Sequence, residues 1–217
     1  MAKTLQKLTQ NKRILLVGNS VEILNYNLKD KIESYDTIVR FGQGIPNNEN
    51  KDRIGSRTDI WVTGYLRANY YKLVKGSFVL FNRCRIHMDK EPKAGEPEYE
   101  HTVMFSDKEI LEINKNLGVV EGTPLGWRPS AGFWAILFFI RKCNYKSLTL
   151  IGFDFFHKSL PFKTGEAYPT SWHMPVSTTK VNPHNPKEKE LVLEMKEKGL
   201  LEWIILSNLE KETLNLT

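Results

Sequence analysis

Residues 13–24, "RILLVGNSVEIL", carry four apolar positions in a row, then Gly18-Asn19-Ser20, then apolar residues at helical spacing. A short unbroken apolar run bounded by turn formers predicts a strand buried on both faces, as in a parallel sheet. The same pattern recurs at "DTIVRF" (36–41), "DIWVT" (59–63), "SFVLFN" (77–82), "SLTLIG" (147–152) and "WIILS" (203–207). Gly132 to Lys142 predicts an amphipathic core helix. Pro186 to Lys198 predicts another, with Pro, Lys and Glu in its first turn and Gly199 at its end. Strands alternating with helices predict an α/β fold in a single domain, residues 1–217. A mostly parallel sheet of about six strands is flanked by helices.

Three stretches lack period. Gly42 to Lys51, "GQGIPNNENK", predicts a surface loop, and Met88 to His101 is broken by Pro and Gly and holds the acidic "EPEYEH". Phe155 to Pro183 is longer still. A structureless stretch of that length inside a compact domain predicts a lid or active-site loop.

With 41% hydrophobic and 26% charged residues, the chain composes like an ordinary globular protein. The longest apolar run, Phe133 to Ile140, is too short to cross a bilayer. Residues 1–12 are polar and lysine-rich, without the apolar core of a signal peptide, which predicts a cytoplasmic protein. The net charge of +6 favours acidic partners. One is the anionic inner face of a membrane, met peripherally; the alternative is that the lysines merely keep the protein soluble. The basic residues are scattered, so no nucleic-acid partner is expected. Cys84 and Cys143 read as free thiols of a reducing compartment.

Several chemistries are excluded by missing motifs. There is no G-x-x-x-x-G-K-[ST], no G-x-G-x-x-G, no C-x-x-C, no H-E-x-x-H and no D-x-D. No metal site is therefore predicted. The polar residues gather instead where strands end, which is where ligands bind in doubly wound sheets. Gly18-Asn19-Ser20 follows the first strand, Arg40-Phe41-Gly42 the second and Gly152-Phe153-Asp154 the fifth. Arg128-Pro129-Ser130-Ala131-Gly132 opens a helix whose free N–H groups suit an anionic ligand. Taken singly, each is an ordinary cap or turn; together they outline a site. His184, in "NPHNPKEKE", lies just ahead of a helix where it can act as a base near pH 7. His173, in "TSWHMP", shares the long loop with Tyr168.

Four of these segments, in order, resemble a known family. "LLVGNS…IESYDTIVRF…IGSRTDI" (15–60) resembles the large sialyl motif of eukaryotic-type sialyltransferases. "RPSAGFWAILFFIRKCNYKSLTLIGFDFF" (128–156) resembles their small motif. "GFDFF" and "HNPKEKELVLEMKEKG" are also similar to the cytosolic bacterial lipooligosaccharide sialyltransferases. The resemblance implies a GT-A variant, Rossmann-like fold. It implies an inverting, metal-independent transferase without cofactor, moving a sialic acid, or the related Kdo, from its CMP-activated donor to a hydroxyl of a glycan or glycolipid acceptor. A nucleotide monophosphate leaving group can be stabilised by N–H donors and side chains in place of a divalent ion.

Carried over by position, the resemblance puts Gly18, Asn19, Ser20, Arg40 and Gly42 on the CMP. It adds Ser130, Ala131 and Gly132 at the ribose or phosphate, and Gly152, Phe153 and Asp154 at the cytidine. His184 becomes the base that deprotonates the acceptor, and His173, with Tyr168, the donor-phosphate side. Arg57 matches a motif arginine for which a structural role is equally expected. Four positions depart from the pattern. Gly42 stands where the family has Asn, Ala131 where it has Thr, and Phe156 where the bacterial relatives have Tyr. Lys189 stands where a glutamate is expected, with Glu188 and Glu190 on either side. The secreted-pathway relatives join their motifs by a disulfide; Cys143 holds one position, but its partner position is Ile14. The departures leave a second reading open, a nucleotide-binding module of the same fold without catalysis.

Overall fold

The computed structural model describes residues 3–42, 44–63, 76–81, 101–119, 129–153 and 187–206. These residues form β1 (Arg13–Val17), β2 (Thr37–Phe41), β3 (Ile60–Thr63), β4 (Phe78–Phe81), β5 (His101–Val103), β6 (Ser147–Ile151) and β7 (Glu202–Ile204). The helices are α1 (Lys3–Thr9), α2 (Lys29–Glu33), α3 (Lys51–Ile54), α4 (Asp107–Asn116), α5 (Ala131–Lys142) and α6 (Lys187–Glu197), with a 3-10 turn at Val21–Asn25.

All seven strands lie in one sheet in the order β5-β4-β3-β2-β1-β6-β7, and every pairing is parallel. The sheet has one strand more than the sequence pattern predicts. The extra one is β5, three residues long, at the end of a segment whose Pro and Gly hide any strand pattern.

Alternation along each strand divides the core between two faces. Ile14, Leu16, Val39, Phe41, Ile60, Val62, Phe78, Leu80, Leu148 and Leu150 point to one face. There Phe133 to Phe139 of α5 cover them, joined by Ile113 of α4 and Val192 of α6. Leu15, Val17, Ile38 and Ile151 point to the other face, against Ile23, Leu28, Ile32 and Ile54. Both faces of the central strands are thus apolar, which is why these strands read as unbroken hydrophobic runs.

Helix α5 follows from local rules. The Ser130 hydroxyl caps it by accepting the Phe133 N–H at 3.1 Å, and Arg141 and Lys142 lie in its last turn, where the dipole favours cations. Its seven buried residues in succession, Phe133 to Phe139, show a helix enclosed on most of its circumference. No helix among the described residues is long and apolar enough to cross a membrane.

Candidate functional site

The strand order reverses direction between β1 and β6, since β2 to β5 extend to one side of β1 while β6 and β7 extend to the other. Such a switch point opens a crevice at the carboxyl ends of its two strands. The residues that stand there are Gly18-Asn19-Ser20 and Gly152-Phe153.

The two turns are built against each other. The Gly18 N–H donates to the Ile151 carbonyl at 2.8 Å, and the Ser20 N–H to the Gly152 carbonyl at 3.0 Å. A Cβ on Gly18 would lie 2.3 Å from the Gly152 carbonyl oxygen, and Gly152 itself takes a left-handed φ of +70°. Neither position tolerates a side chain at this separation. Ser20 is buried and its hydroxyl caps the 3-10 turn, accepting the Glu22 N–H at 3.4 Å. Asn19 crosses to β2, donating through Nδ2 to the Phe41 carbonyl at 3.1 Å.

Phe153 gathers the remaining pieces. Its ring meets Phe41 edge to face at 5.7 Å. It lies so close to Gly132 that a Cβ there would come within 2.7 Å of Cε1. The ends of β1, β2 and β6 and the start of α5 therefore converge on one aromatic ring. At that helix start Ser130 donates twice to Glu188, from its N–H to Oε1 and from its hydroxyl to Oε2, both at 2.7 Å. Burial pushes the Glu188 carboxyl up to about 7, against the opposing effect of the two Ser130 bonds. Glu188 stands one residue before Lys189, the position where the resemblance expects a glutamate. An acid in the first turn of a helix was its only signal in the sequence.

Arg40, expected on the nucleotide, bonds to main chain. Its side chain is fully buried on the face opposite α5, where Nε donates to the Arg57 carbonyl at 3.1 Å and Nη2 to the Ile54 carbonyl at 2.7 Å. Burial pulls its pKa down to about 10. The guanidinium ties down the chain between α3 and β3. Arg57 is also a structural member. It pairs with Asp59 at 3.0 Å and donates to the carbonyls of Glu33 and Tyr35, while Asp59 accepts the Ile38 N–H at 2.8 Å.

Gly42 lies at the rim of this region with φ +49°, a conformation Asn also adopts readily. Its N–H donates to the Val62 carbonyl and its carbonyl accepts from Trp61 Nε1, both at 2.8 Å. Asp154, Tyr168, His173, His184, Cys84, Phe156 and the stretch 155–183 lie outside the described residues. Cys143 is half-buried, and burial pushes its thiol up to about 12. Ile14, at the position of the absent disulfide partner, is fully buried in β1. Among the described residues no group of His, Cys, Asp or Glu is arranged to hold a metal ion.

No protein-family model matches the chain, and no curated protein matches its sequence. Solved structures do match. The chain is similar to a mammalian sialyltransferase, with a TM-score of 0.57 and 15% identity over 92% of this chain and 71% of that one. It is similar also to a mammalian sialyltransferase in complex with Gal-beta-1-3GalNAc-ortho-nitrophenol, with a TM-score of 0.56 and 14% identity over the same shares. The chain has a sialyltransferase-like fold. At this identity the likeness is one of architecture, and function is a separate argument.

Proposed function

We propose that this chain is an inverting, metal-independent glycosyltransferase. It moves a sialic acid, or the related Kdo, from a CMP-activated donor to a hydroxyl of a glycan or glycolipid acceptor. The observation that carries the reading is the convergence of Gly18-Asn19-Ser20, Gly152-Phe153 and Ser130-Ala131-Gly132 at the switch point of a sialyltransferase-like sheet. The first segment comes from the stretch that resembles the large motif and the other two from the stretch that resembles the small one, and they meet where such folds take ligands. That the acceptor is a glycan is supported by the acceptor analogue named for one of the similar structures.

In this reading the cytidine monophosphate lies along the β1 and β6 ends, with its phosphate toward the start of α5. His184 takes the proton of the acceptor hydroxyl as that oxygen attacks the anomeric carbon from the face opposite the leaving group. The bond from the anomeric carbon to the phosphate oxygen breaks with its electron pair leaving on CMP. His173, helped by Tyr168, stabilises that charge. Metal independence is supported by the absence of D-x-D from the sequence. The site works at the cytoplasmic face of the membrane if the +6 charge steers it to anionic lipid.

The reading is tested by thermal unfolding of the full chain against CMP, CDP, UMP, AMP and GDP, each with EDTA or Mg²⁺. A ligand at about 100 times its dissociation constant adds roughly 2.7 kcal/mol to stability. A shift with the cytidine nucleotides alone, indifferent to EDTA, is expected. Parallel assays with CMP-sialic acid and CMP-Kdo then identify the sugar. No shift with CMP, or a shift that requires metal, overturns the reading. A second reading, a CMP-binding module without turnover, is favoured by Gly42 in place of Asn and by the Ser130 donors already engaged with Glu188. CMP binding without transfer to any glycan acceptor would select it.

A further inference from the structure

All the strands are parallel, so they all start at one edge of the sheet, opposite the edge that carries the crevice. Around the starts of β1 and β6 this amino edge is basic. Lys12 precedes β1 and Lys146 precedes β6, and the Lys146 N–H donates to the Lys12 carbonyl at 2.9 Å, which sets the two side by side. Lys7 lies in the last turn of α1, joined to Lys12 by a bond from its N–H to the Thr9 carbonyl at 3.2 Å. Arg141 lies in the last turn of α5, and the loop after it meets the same turn where the Asn11 N–H donates to the Asn144 carbonyl at 3.1 Å. Lys7, Arg141 and Lys146 are exposed, Lys12 is half-buried, and among the described residues none of the four forms an ion pair. Three acids nearby already have partners. Asp36 pairs with Arg13 at 3.3 Å, Glu109 pairs with Lys142, and Glu202 accepts the Thr149 hydroxyl at 3.4 Å.

Like charges gathered without counter-charges repel one another. Solubility is served as well by cations spread over the surface, and it gives no reason for an apolar side chain among them. Leu200, just before β7, is 39% exposed, and its carbonyl accepts from the Tyr145 hydroxyl at 3.0 Å, which places it beside Tyr145 and Lys146. Cations around an exposed leucine make a surface suited to the headgroup layer of a bilayer. The lysines meet lipid phosphates while the leucine enters the acyl boundary. A nucleic-acid partner asks instead for open aromatic faces on which bases stack. Tyr145 is half-buried, with its hydroxyl spent on main chain. We propose that the amino edge of the sheet, at Lys7, Lys12, Arg141, Lys146 and Leu200, is the surface by which this protein docks on an anionic lipid bilayer. The proposal does not rest on the CMP-donor reading. Because the crevice lies at the other edge, docking leaves it unobstructed.

The test is co-sedimentation of the full chain with phosphatidylcholine vesicles, with or without about one third phosphatidylglycerol, at low and high salt. Binding is expected only to the anionic vesicles, and high salt should abolish it. Lys12→Glu combined with Lys146→Glu is expected to weaken it at least about tenfold, because each cation near an anionic surface contributes a factor of about five. Lys51→Glu combined with Lys115→Glu makes the same change in net charge on α3 and α4 and should stay within about threefold of wild type. Leu200→Ser is expected to weaken binding about fivefold, and it keeps the test valid if the double reversal fails to fold. Thermal unfolding of the same samples checks folding, and the shift with CMP should equal that of wild type in every variant. No binding to anionic vesicles, equal binding to neutral ones, or an equal loss in the two double variants overturns the docking surface and leaves the CMP reading standing. Tighter binding to a single-stranded RNA, weakened by the same two lysines, overturns it in favour of a nucleic-acid partner. A wild type that docks without any CMP shift supports the surface and overturns the CMP reading alone.

Discussion

The carbonyl oxygen of Gly152 lies 2.3 Å from the point that a Cβ on Gly18 would occupy, so the turns after β1 and β6 touch backbone to backbone. Nothing at that contact can swing aside, because the obstructing atom is main chain. Gly18→Ala must therefore push two neighbouring strand ends apart. A loss of stability of about 2–4 kcal/mol is expected in urea unfolding. CMP binding should fall with it, because the displaced turn is also the proposed nucleotide site. Gly132→Ala meets the Phe153 ring instead, which can rotate, so its cost should be smaller, about 1–2 kcal/mol.

Arg40 gives the opposite kind of prediction. Its guanidinium is buried, with Nε and Nη2 on two carbonyls and Nη1 without an acceptor among the described residues. Arg40→Met strips the Ile54 and Arg57 carbonyls of their donors while removing a buried charge. The first effect wins, because each unsatisfied carbonyl costs about 1–3 kcal/mol. A destabilisation of about 2–3 kcal/mol is expected, with the CMP dissociation constant unchanged within about twofold. Selective loss of CMP binding with normal stability would return Arg40 to the donor site.

Glu188 predicts the pH dependence of stability. Its carboxyl titrates at about 7 when folded, against an ordinary value of 4.5. The folded chain therefore holds this proton more tightly than the unfolded chain. The contribution is complete below pH 4.5 and is lost as pH rises through 7. Over that window it amounts to about 3 kcal/mol. Glu188→Gln has no such proton to lose. The difference in unfolding free energy between Glu188→Gln and wild type should grow in favour of the variant from pH 4.5 to 7 and level off above it. A difference that is flat across that range would show that Glu188 titrates normally.

Most of the sheet was legible because its central strands are apolar on both faces, and six of the seven strands coincide with apolar runs. The short elements were not. Helices α2 and α3 have five and four residues, too few for a 3.6-residue period to show, and β5 pairs for only three. Within the site, the Gly18, Gly152 and Gly132 contacts were visible as glycines at strand and helix ends, though their partners were not. Arg40 illustrates the limit most clearly. In sequence it stands at a strand end like a ligand contact, and only the face to which β2 turns it shows its bonds to the Ile54 and Arg57 carbonyls. Glu188 reverses the case. An acid among "KEKE" looks like part of a solvated helix, and its burial against Ser130 comes from packing between residues 58 apart.

His184 separates the catalytic reading from the binding-module reading. Its place in the proposed reaction is proton transfer from the acceptor, which contributes typically 10²–10⁴-fold to rate. His184→Ala is therefore expected to lower kcat by about that factor and to leave CMP affinity within about threefold of wild type, since the proposed nucleotide site is built from β1, β6 and α5. His184→Gln should do the same, because an amide cannot accept the proton at neutral pH. Transfer rates measured against CMP-sialic acid and CMP-Kdo, alongside CMP binding, make the distinction. Undiminished transfer by both variants would remove His184 from the mechanism. Unaltered CMP binding with no transfer even by the wild type would mean that this switch-point crevice holds its nucleotide without using it.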